Sequence, residues 1–419
     1  MIDTGQLKKQ ILTSSFESLP NYLYEPLGNH VIFERGITFP ASEKKAIREI
    51  GTIPCIRTAN IQENLDISDL IYVSERFVKN NKKLIRSDDI FISMANSREL
   101  VGKSCMVSEN TEQMTFGGFV TVARSIDVHQ RYLYFYLKYL FISSKMLSIA
   151  SQTTNIANIS SKSLQSLSIP LPPLEEQKRI VAKIEELFAK IDEIDKAQKE
   201  LKELAELAEK KVLDMAVRGE LVEQDENDSS ALELLTQIKI AKKNAGIKVL
   251  DSMHKQNESG VSIPKTWVET SLGECFYLKA GKAIKRSDIS EHQDDDHQFT
   301  CYGGNGVRGY VSSPNRTGPC NLIGRQGALC GNINLTVSEP FFATEHAVVV
   351  EDFGFMNKAW EFIVLKSLNL NQYSTSVAQP GLSVNKINAV KINLPPIEEQ
   401  DRISKQFSKI KSQLERIKN

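Results

Sequence analysis

The feature that most constrains this chain is a phrase it uses twice. Leu171-Pro172-Pro173-Leu174-Glu175-Glu176-Gln177 returns 223 positions later as Leu394-Pro395-Pro396-Ile397-Glu398-Glu399-Gln400, and Arg179-Ile180 returns as Arg402-Ile403. The paired prolines have fixed φ and no N–H, so they suit an extended entry and a first helical turn. The two glutamates sit where a helix N-terminus favours negative charge. Each copy therefore predicts a hard helix start. Behind the first, Ile180, Ile184, Leu187, Ile191, Ile194, Leu201, Leu204, Ala208, Val212 and Met215 recur at spacings of three, four or seven as far as Gly219, which can stop the helix. That stripe calls for a partner along the whole length of a helix of about 46 residues, ~69 Å at about 1.5 Å per residue. Ile403, Phe407 and Ile410 continue the stripe after the second copy, where the chain leaves room only for a short helix.

The segments around the two copies share a frame. Ile159 to Ile169 aligns with Leu382 to Ile392 at the same offset, Leu27-Gly28 and Leu272-Gly273 open the two regions alike, and an apolar helix predicted over 131–147 mirrors one over 357–368. Short apolar runs broken by turn residues, such as Ile53 to Ile56, Asp89 to Met94 and Phe119 to Val122, predict strands. The expected fold class is α+β: two mixed α/β modules separated by paired long antiparallel helices, with an internal pseudo-two-fold repeat. Residues 7–16 predict a short helix, and 9–16 echo 210–217, so the N-terminal segment could supply the missing end of the helix pair in a circularly permuted repeat. The expected organisation is an N-terminal helical segment over 1–20, modules over 21–168 and 263–391, a helical spacer over 169–243, a linker over 244–262 and a C-terminal helix over 392–419.

At 419 residues the chain exceeds one core. Lys plus Arg equals Asp plus Glu at 52 each, so bulk charge points to no polyanionic partner and local grouping must carry that question. Six cysteines without a C-x-x-C pair argue against a disulfide framework or a zinc site. Neither a signal peptide nor an apolar run long enough for a membrane span is present, and the expected location is the cytoplasm. Gly304-x-Gly306-x-x-Gly309 leads into Tyr310-Val311-Ser312-Ser313-Pro314 rather than a helix, Gly102-Lys103-Ser104 lacks the first glycine of a phosphate loop, and 291–297 reads as a solvated acidic loop. No catalytic constellation and no metal set is expected.

Arg, Asn and Gln pair bidentately with base edges, while Lys meets phosphate. Candidate nucleic-acid contacts in the first module are Arg35, Lys44, Lys45, Arg57, Thr58, Asn60, Asn96, Ser97 and Arg98. In the second they are Lys282, Lys285, Arg286, Tyr302, Asn305, Arg308, Arg325 and Gln326.

The duplicated Leu-Pro-Pro-Leu/Ile-Glu-Glu-Gln-x-Arg-Ile entry, the long helix ending in Ala216-Val217-Arg218-Gly219-Glu220-Leu221-Val222, and Phe341-Phe342-Ala343-Thr344-Glu345-His346 resemble the DNA specificity subunit of type I restriction-modification systems. The resemblance covers essentially the whole chain. It implies two target recognition domains, each reading half of a bipartite, asymmetric site in double-stranded DNA, with helix length setting the unread spacer. It also implies a non-catalytic subunit that docks methyltransferase (M) and motor-nuclease restriction (R) subunits, with S-adenosylmethionine, ATP and Mg on those partners and no cofactor on this chain. The apolar stripe (Ile180, Ile184, Leu187, Ile191, Ile194, Leu201, Leu204, Ile403, Phe407, Ile410) is the expected partner-docking face. Two departures stand out: Gly117-Gly118-Phe119-Val120-Thr121 replaces the Ala-Thr-Glu-His phrase in the first module, and the C-terminal helix is short. A coiled-coil scaffold that binds protein without DNA specificity is the alternative reading.

Overall fold

The computed structural model describes residues 1–19, 22–107, 113–152, 156–249, 263–327, 329–336, 340–374 and 381–418. The chain forms two compact units, 1–198 and 199–419. The division falls inside the long helix, because each half of that helix buries its apolar face in a different module. Of the linker expected over 244–262, residues 250–262 lie outside the described residues.

Unit 1 runs through helix α1 (Thr4–Glu17), strands β1 (Tyr24–Pro26), β2 (Val31–Arg35), β3 (Thr52–Ile56), β4 (Ile71–Ser74), β5 (Ile90–Ser93), β6 (Ser104–Met106), β7 (Thr115–Phe116) and β8 (Val120–Ser125), helix α2 (Gln130–Ile142), strand β9 (Ser168–Pro170) and the start of α3 (Leu174–Arg218). Strands β2-β8-β5-β6 form an antiparallel sheet. Strands β4-β3-β7 form a second sheet in which β3 and β7 are parallel, and β1 pairs with β9. The alternation of β5 explains why the sheets stack. Ile90 and Ile92 join the core under α2, whereas Phe91 points to the opposite face and meets Phe116 edge-on, with ring centroids 5.9 Å apart. A strand buried on both faces reads as a continuous apolar run, which is how this one appears in the sequence.

Unit 2 repeats the plan. After α4 (Ala231–Asn244) come β10 (Val268–Ser271), β11 (Tyr277–Ala280), β12 (Phe299–Gly303), β13 (Gly306–Val311), β14 (Asn321–Gly324), β15 (Ile333–Leu335), β16 (Phe342–Ala343), β17 (Ala347–Glu351), helix α5 (Lys358–Ser367), β18 (Lys391–Leu394) and α6 (Ile397–Lys418). The sheets are β11-β17-β14-β15 and β13-β12-β16, again with one parallel pair, β12 and β16, and β10 pairs with β18. Gly304, Gly306 and Gly309 fall on or beside the β12–β13 hairpin, in keeping with the reading that sets cofactor binding aside.

The helices carry the permutation. In unit 1, the first half of α3 runs antiparallel to α1: the Ile2 backbone N–H donates to Gln198 (2.6 Å), the Thr4 hydroxyl to Asp195 (3.1 Å) and the Lys8 ammonium to Asp192 (2.6 Å). Phe16 of α1 reaches α2, with ring centroids 5.5 Å from Tyr132 and 5.2 Å from Tyr136. In unit 2, the second half of α3 runs antiparallel to α6. Lys418 donates to Glu209 (2.7 Å), while near the other end Gln224, just past α3, donates to Glu399 (2.6 Å). Thus α1 stands to the first half of α3 as the second half of α3 stands to α6. Gly219 ends α3 at φ +74°, and the Glu220 N–H reaches back to the Met215 carbonyl at 2.9 Å.

The stripe assigned to partner docking is divided by this packing. Ile184, Ile191, Ile403 and Phe407 are buried, with Ile184 in the core of unit 1 and Ile403 and Phe407 in that of unit 2. They are core residues rather than docking residues, because each helix half already has a mate. Ile180, Leu187 and Ile410 are half-buried. Ile194, Leu201 and Leu204 remain exposed, together with Leu207, which the sequence reading omitted.

Candidate nucleic-acid interface

Each unit presents a tight turn where the parallel strand of the small sheet hands over to the large sheet. In unit 1 the Ile37 N–H donates to the Phe116 carbonyl (2.8 Å) and the Gly36 N–H to the Val120 carbonyl (3.0 Å). In unit 2 Lys282 donates to Ala343 (2.9 Å) and Gly281 to Ala347 (3.0 Å). The two backbones touch. A Cβ on Gly36 would lie 2.2 Å from the Gly117 carbonyl oxygen, and one on Gly281 would lie 2.2 Å from that of Ala343, so only glycine fits either place. The hydrogen bonds identify Phe116-Gly117-Gly118-Phe119 as the counterpart of Ala343-Thr344-Glu345-His346. Sequence comparison placed that counterpart one residue later, because the two turns share backbone geometry and no side chains.

Around the first turn, Arg35, Lys44, Arg57 and Thr58 converge on a concavity of about 420 Å³ walled by Ile37, Phe39, Ile71 and residues 117–120. Arg35 donates its Nε to the Gly118 carbonyl (3.0 Å), and Arg57 is held by Asp69 through its carboxylate (2.7 Å) and its carbonyl (2.9 Å). Two guanidinium groups and an ammonium thus share one rim. Beneath it the Cys55 thiol is pushed up to about 12 by burial, against the opposing charges of Arg57 and Lys44, so it carries no nucleophilic chemistry at neutral pH. Lys45 is the ion-pair partner of Glu49.

The structure does not gather every candidate. Asn60 is buried; it accepts the Arg57 N–H (2.8 Å) and donates to the carbonyls of Asp66 and Asp69 (2.9 Å each), so its amide is spent on shaping the loop. Tyr302 is buried with its ring edge-on to Phe341. Both leave the candidate set, because a side chain consumed by its own core cannot meet a base. Asn96 and Ser97 line a separate concavity that also touches Phe119, and Arg98 lines a third beside Ser144 and Ser148.

In unit 2, Arg325 and Gln326 line a concavity of about 370 Å³ with residues 381–385, and Gln326 faces His346 with 2.8 Å between its Oε1 and the imidazole Nδ1. Lys282 lies against the turn, accepting the Glu345 N–H at 3.1 Å. Asn305 and Arg308 sit on the β12–β13 hairpin, Asn305 taking a hydrogen bond from Asn332 (3.1 Å). Lys285 and Arg286 are exposed at the start of a single 3₁₀ turn over Arg286–Asp288. Reading by residue type missed Phe119, a residue 66 % exposed at the tip of the first turn. Its only sequence signal is an aromatic directly after two glycines.

Among the described residues no group of His, Cys, Asp and Glu could hold a metal ion, and no helix is long and apolar enough to cross a membrane. All six cysteines are free and buried.

Comparison with known proteins agrees with this geometry. The chain is 45 % identical over 130 residues to the EcoprrI type I restriction enzyme specificity subunit of Escherichia coli, a match covering 31 % of this chain and 32 % of that protein. It is 25 % identical over 411 residues to the EcoKI specificity subunit of Escherichia coli (strain K12), covering 93 % of this chain and 82 % of that one. The fold matches a chain from a structural study of complex assembly and conformational transition of the type I R-M system, with a TM-score of 0.64 at 17 % identity over 95 % of this chain and 92 % of that chain. The pattern described as type I restriction modification DNA specificity domain matches twice, over residues 32–206 and 264–419, and each match takes in one of the two turns. The chain therefore belongs to the type I restriction-modification DNA specificity family.

Proposed function

We propose that this chain is the DNA-reading specificity subunit of a type I restriction-modification complex, with no catalytic activity of its own. One observation carries the reading: the specificity-domain pattern occurs twice, on two units that share a strand frame and differ in the side chains set on it. Each unit reads one half of a bipartite, asymmetric site in double-stranded DNA. Arg35, Lys44 and Arg57 in unit 1, and Lys282, Lys285, Arg286, Arg308 and Arg325 in unit 2, supply the cations that meet phosphate or guanine edges. Methyl transfer with S-adenosylmethionine, and ATP- and Mg-dependent cleavage, belong to M and R subunits in the cytoplasm. The exposed Leu201, Leu204 and Leu207 on the second half of α3 form the docking stripe for such a subunit.

The test is to co-express the chain with its M subunits and map methylated adenines across the genome. A single bipartite motif with a fixed spacer is the expected result. Methylation without sequence preference, or a purified complex whose affinity for duplex DNA ignores salt, would refute it.

A further inference from the structure

We propose that the turn ending in Phe119 in unit 1 and in His346 in unit 2 sets the base preference of each half-site, with Phe119 and the Glu345–His346 pair as its specificity determinants. This rests on the reading of the chain as a DNA specificity subunit. Two observations point to the turn. The first is that its backbone is fixed identically in both units. The Phe119 carbonyl accepts the Met94 N–H (2.9 Å) as the His346 carbonyl accepts that of Arg325 (2.8 Å), and Gly36 and Gly281 hold the other limb of the turn at contact distance. A frame of this kind fixes where the reading side chain leaves the backbone, so that only its own rotamer remains to be ordered on binding.

The second observation is that the exposed residues on this frame differ in chemistry. Phe119 is an apolar ring left mostly in water, forgoing burial, where the cavity of Arg35, Lys44 and Arg57 meets that of Asn96, Ser97, Ile156 and Asn158. Its neighbours Gly117 and Gly118 bring no polar side chain. In unit 2 the same positions carry His346, bonded to Gln326, and Glu345, whose carboxylate lies 3.3 Å from the His346 Nε2; the two side chains are 40 % and 36 % exposed. In the major groove an apolar ring contacts the thymine methyl, whereas a carboxylate accepts from the exocyclic amine of cytosine or adenine. The Phe119 turn therefore selects thymine at the base it meets, and the His346 turn, through the Glu345 carboxylate that His346 holds, selects a base with an exocyclic amine.

The experiment maps methylation motifs for complexes assembled with Phe119→Ala, Phe119→Leu, His346→Ala and Glu345→Gln beside the unaltered chain. Phe119→Ala is expected to relax one position of one half-site ~10-fold or more, with Phe119→Leu retaining the preference and the other half-site unchanged. His346→Ala and Glu345→Gln are expected to act on the other half-site alone. Should a variant methylate too weakly to map, the same complex is titrated with duplexes randomised at one half-site. Wild-type preference at both half-sites in every variant overturns the proposal, as does one substitution altering both half-sites together. If the unaltered complex itself shows no bipartite motif, the specificity-subunit reading fails first, and the variants are not needed to see it.

Discussion

The Gln177 side chain accepts the backbone N–H of His129 at 2.8 Å and donates to the Pro172 carbonyl at 2.9 Å; Gln400 accepts the Asn357 N–H at 3.0 Å and donates to the Pro395 carbonyl at 3.1 Å. His129 and Asn357 are the N-cap residues of α2 and α5. The last letter of the duplicated phrase is therefore a clamp. It satisfies an N-cap amide from outside its helix and locks the start of the long helix to the module, a task that a nearby glutamate performs in an ordinary capping box. Both glutamines are buried, so Gln177→Ala or Gln400→Ala leaves an amide and a carbonyl unpaired, at about 1–3 kcal/mol each. Urea unfolding of the full chain should show the loss, with Gln400→Ala affecting the melting of unit 2 and Gln177→Ala that of unit 1. A midpoint unmoved by either substitution would remove the clamp.

Glu361 on α5 predicts a pH dependence. Burial pushes its carboxyl up to about 8, against the pull of Lys358 and with the push of Asp352. A folded-state value above the unfolded one means that the folded chain holds a proton the unfolded chain has released. Between about pH 4.5 and 8 this group therefore makes stability fall as pH rises, by at most about 1.4 kcal/mol per pH unit. Glu361→Gln should flatten that slope and raise the melting temperature at pH 8. Melting curves of both forms at pH 6 and 8 decide it, and an equal slope in the two would count against the assignment.

The rim of the first concavity predicts a salt signature. Replacing Lys44 or Arg57 with Ala should lower duplex affinity and reduce the slope of log K against log salt by about 1 per phosphate contact removed. Titrations of the assembled complex from 50 to 200 mM salt, about the usual range for such slopes, read it directly. Asn60→Ala should instead weaken the loop over 57–69, since its amide is bonded to the carbonyls of Asp66 and Asp69. A slope that no rim substitution changes would place the DNA elsewhere.

The exposed leucines of α3 predict a separation of folding from assembly. Leu204 and Leu207 are 62 % and 63 % exposed, so Leu204→Asp with Leu207→Asp should leave thermal unfolding within about 0.5 kcal/mol of the original. Co-purification with M subunits should drop at the same time. Intact assembly of the double variant would show that the docking face lies off this stripe.

The sequence by itself determined a great deal: the repeat, both helix starts, the stop at Gly219 and strands of the first module such as Ile53 to Ile56. These are local consequences of proline geometry, apolar period and turn chemistry, each readable within a few residues. The sequence also showed the apolar stripe but could not say what covers each part of it. Ile184 and Leu204 share the same spacing, yet one is buried and the other open, because mating depends on where α1 and α6 end in space. The candidate interface was less legible. Arg35 and Arg57 are joined across two strands and a loop, Asn60 and Tyr302 are drawn inward by hydrogen bonding and packing, and Phe119 matches His346 only through backbone hydrogen bonds. Residue type names what a side chain can contact, but only the tertiary structure decides which side chains stand together on one rim and which are spent holding the fold, since both depend on long-range pairing and burial.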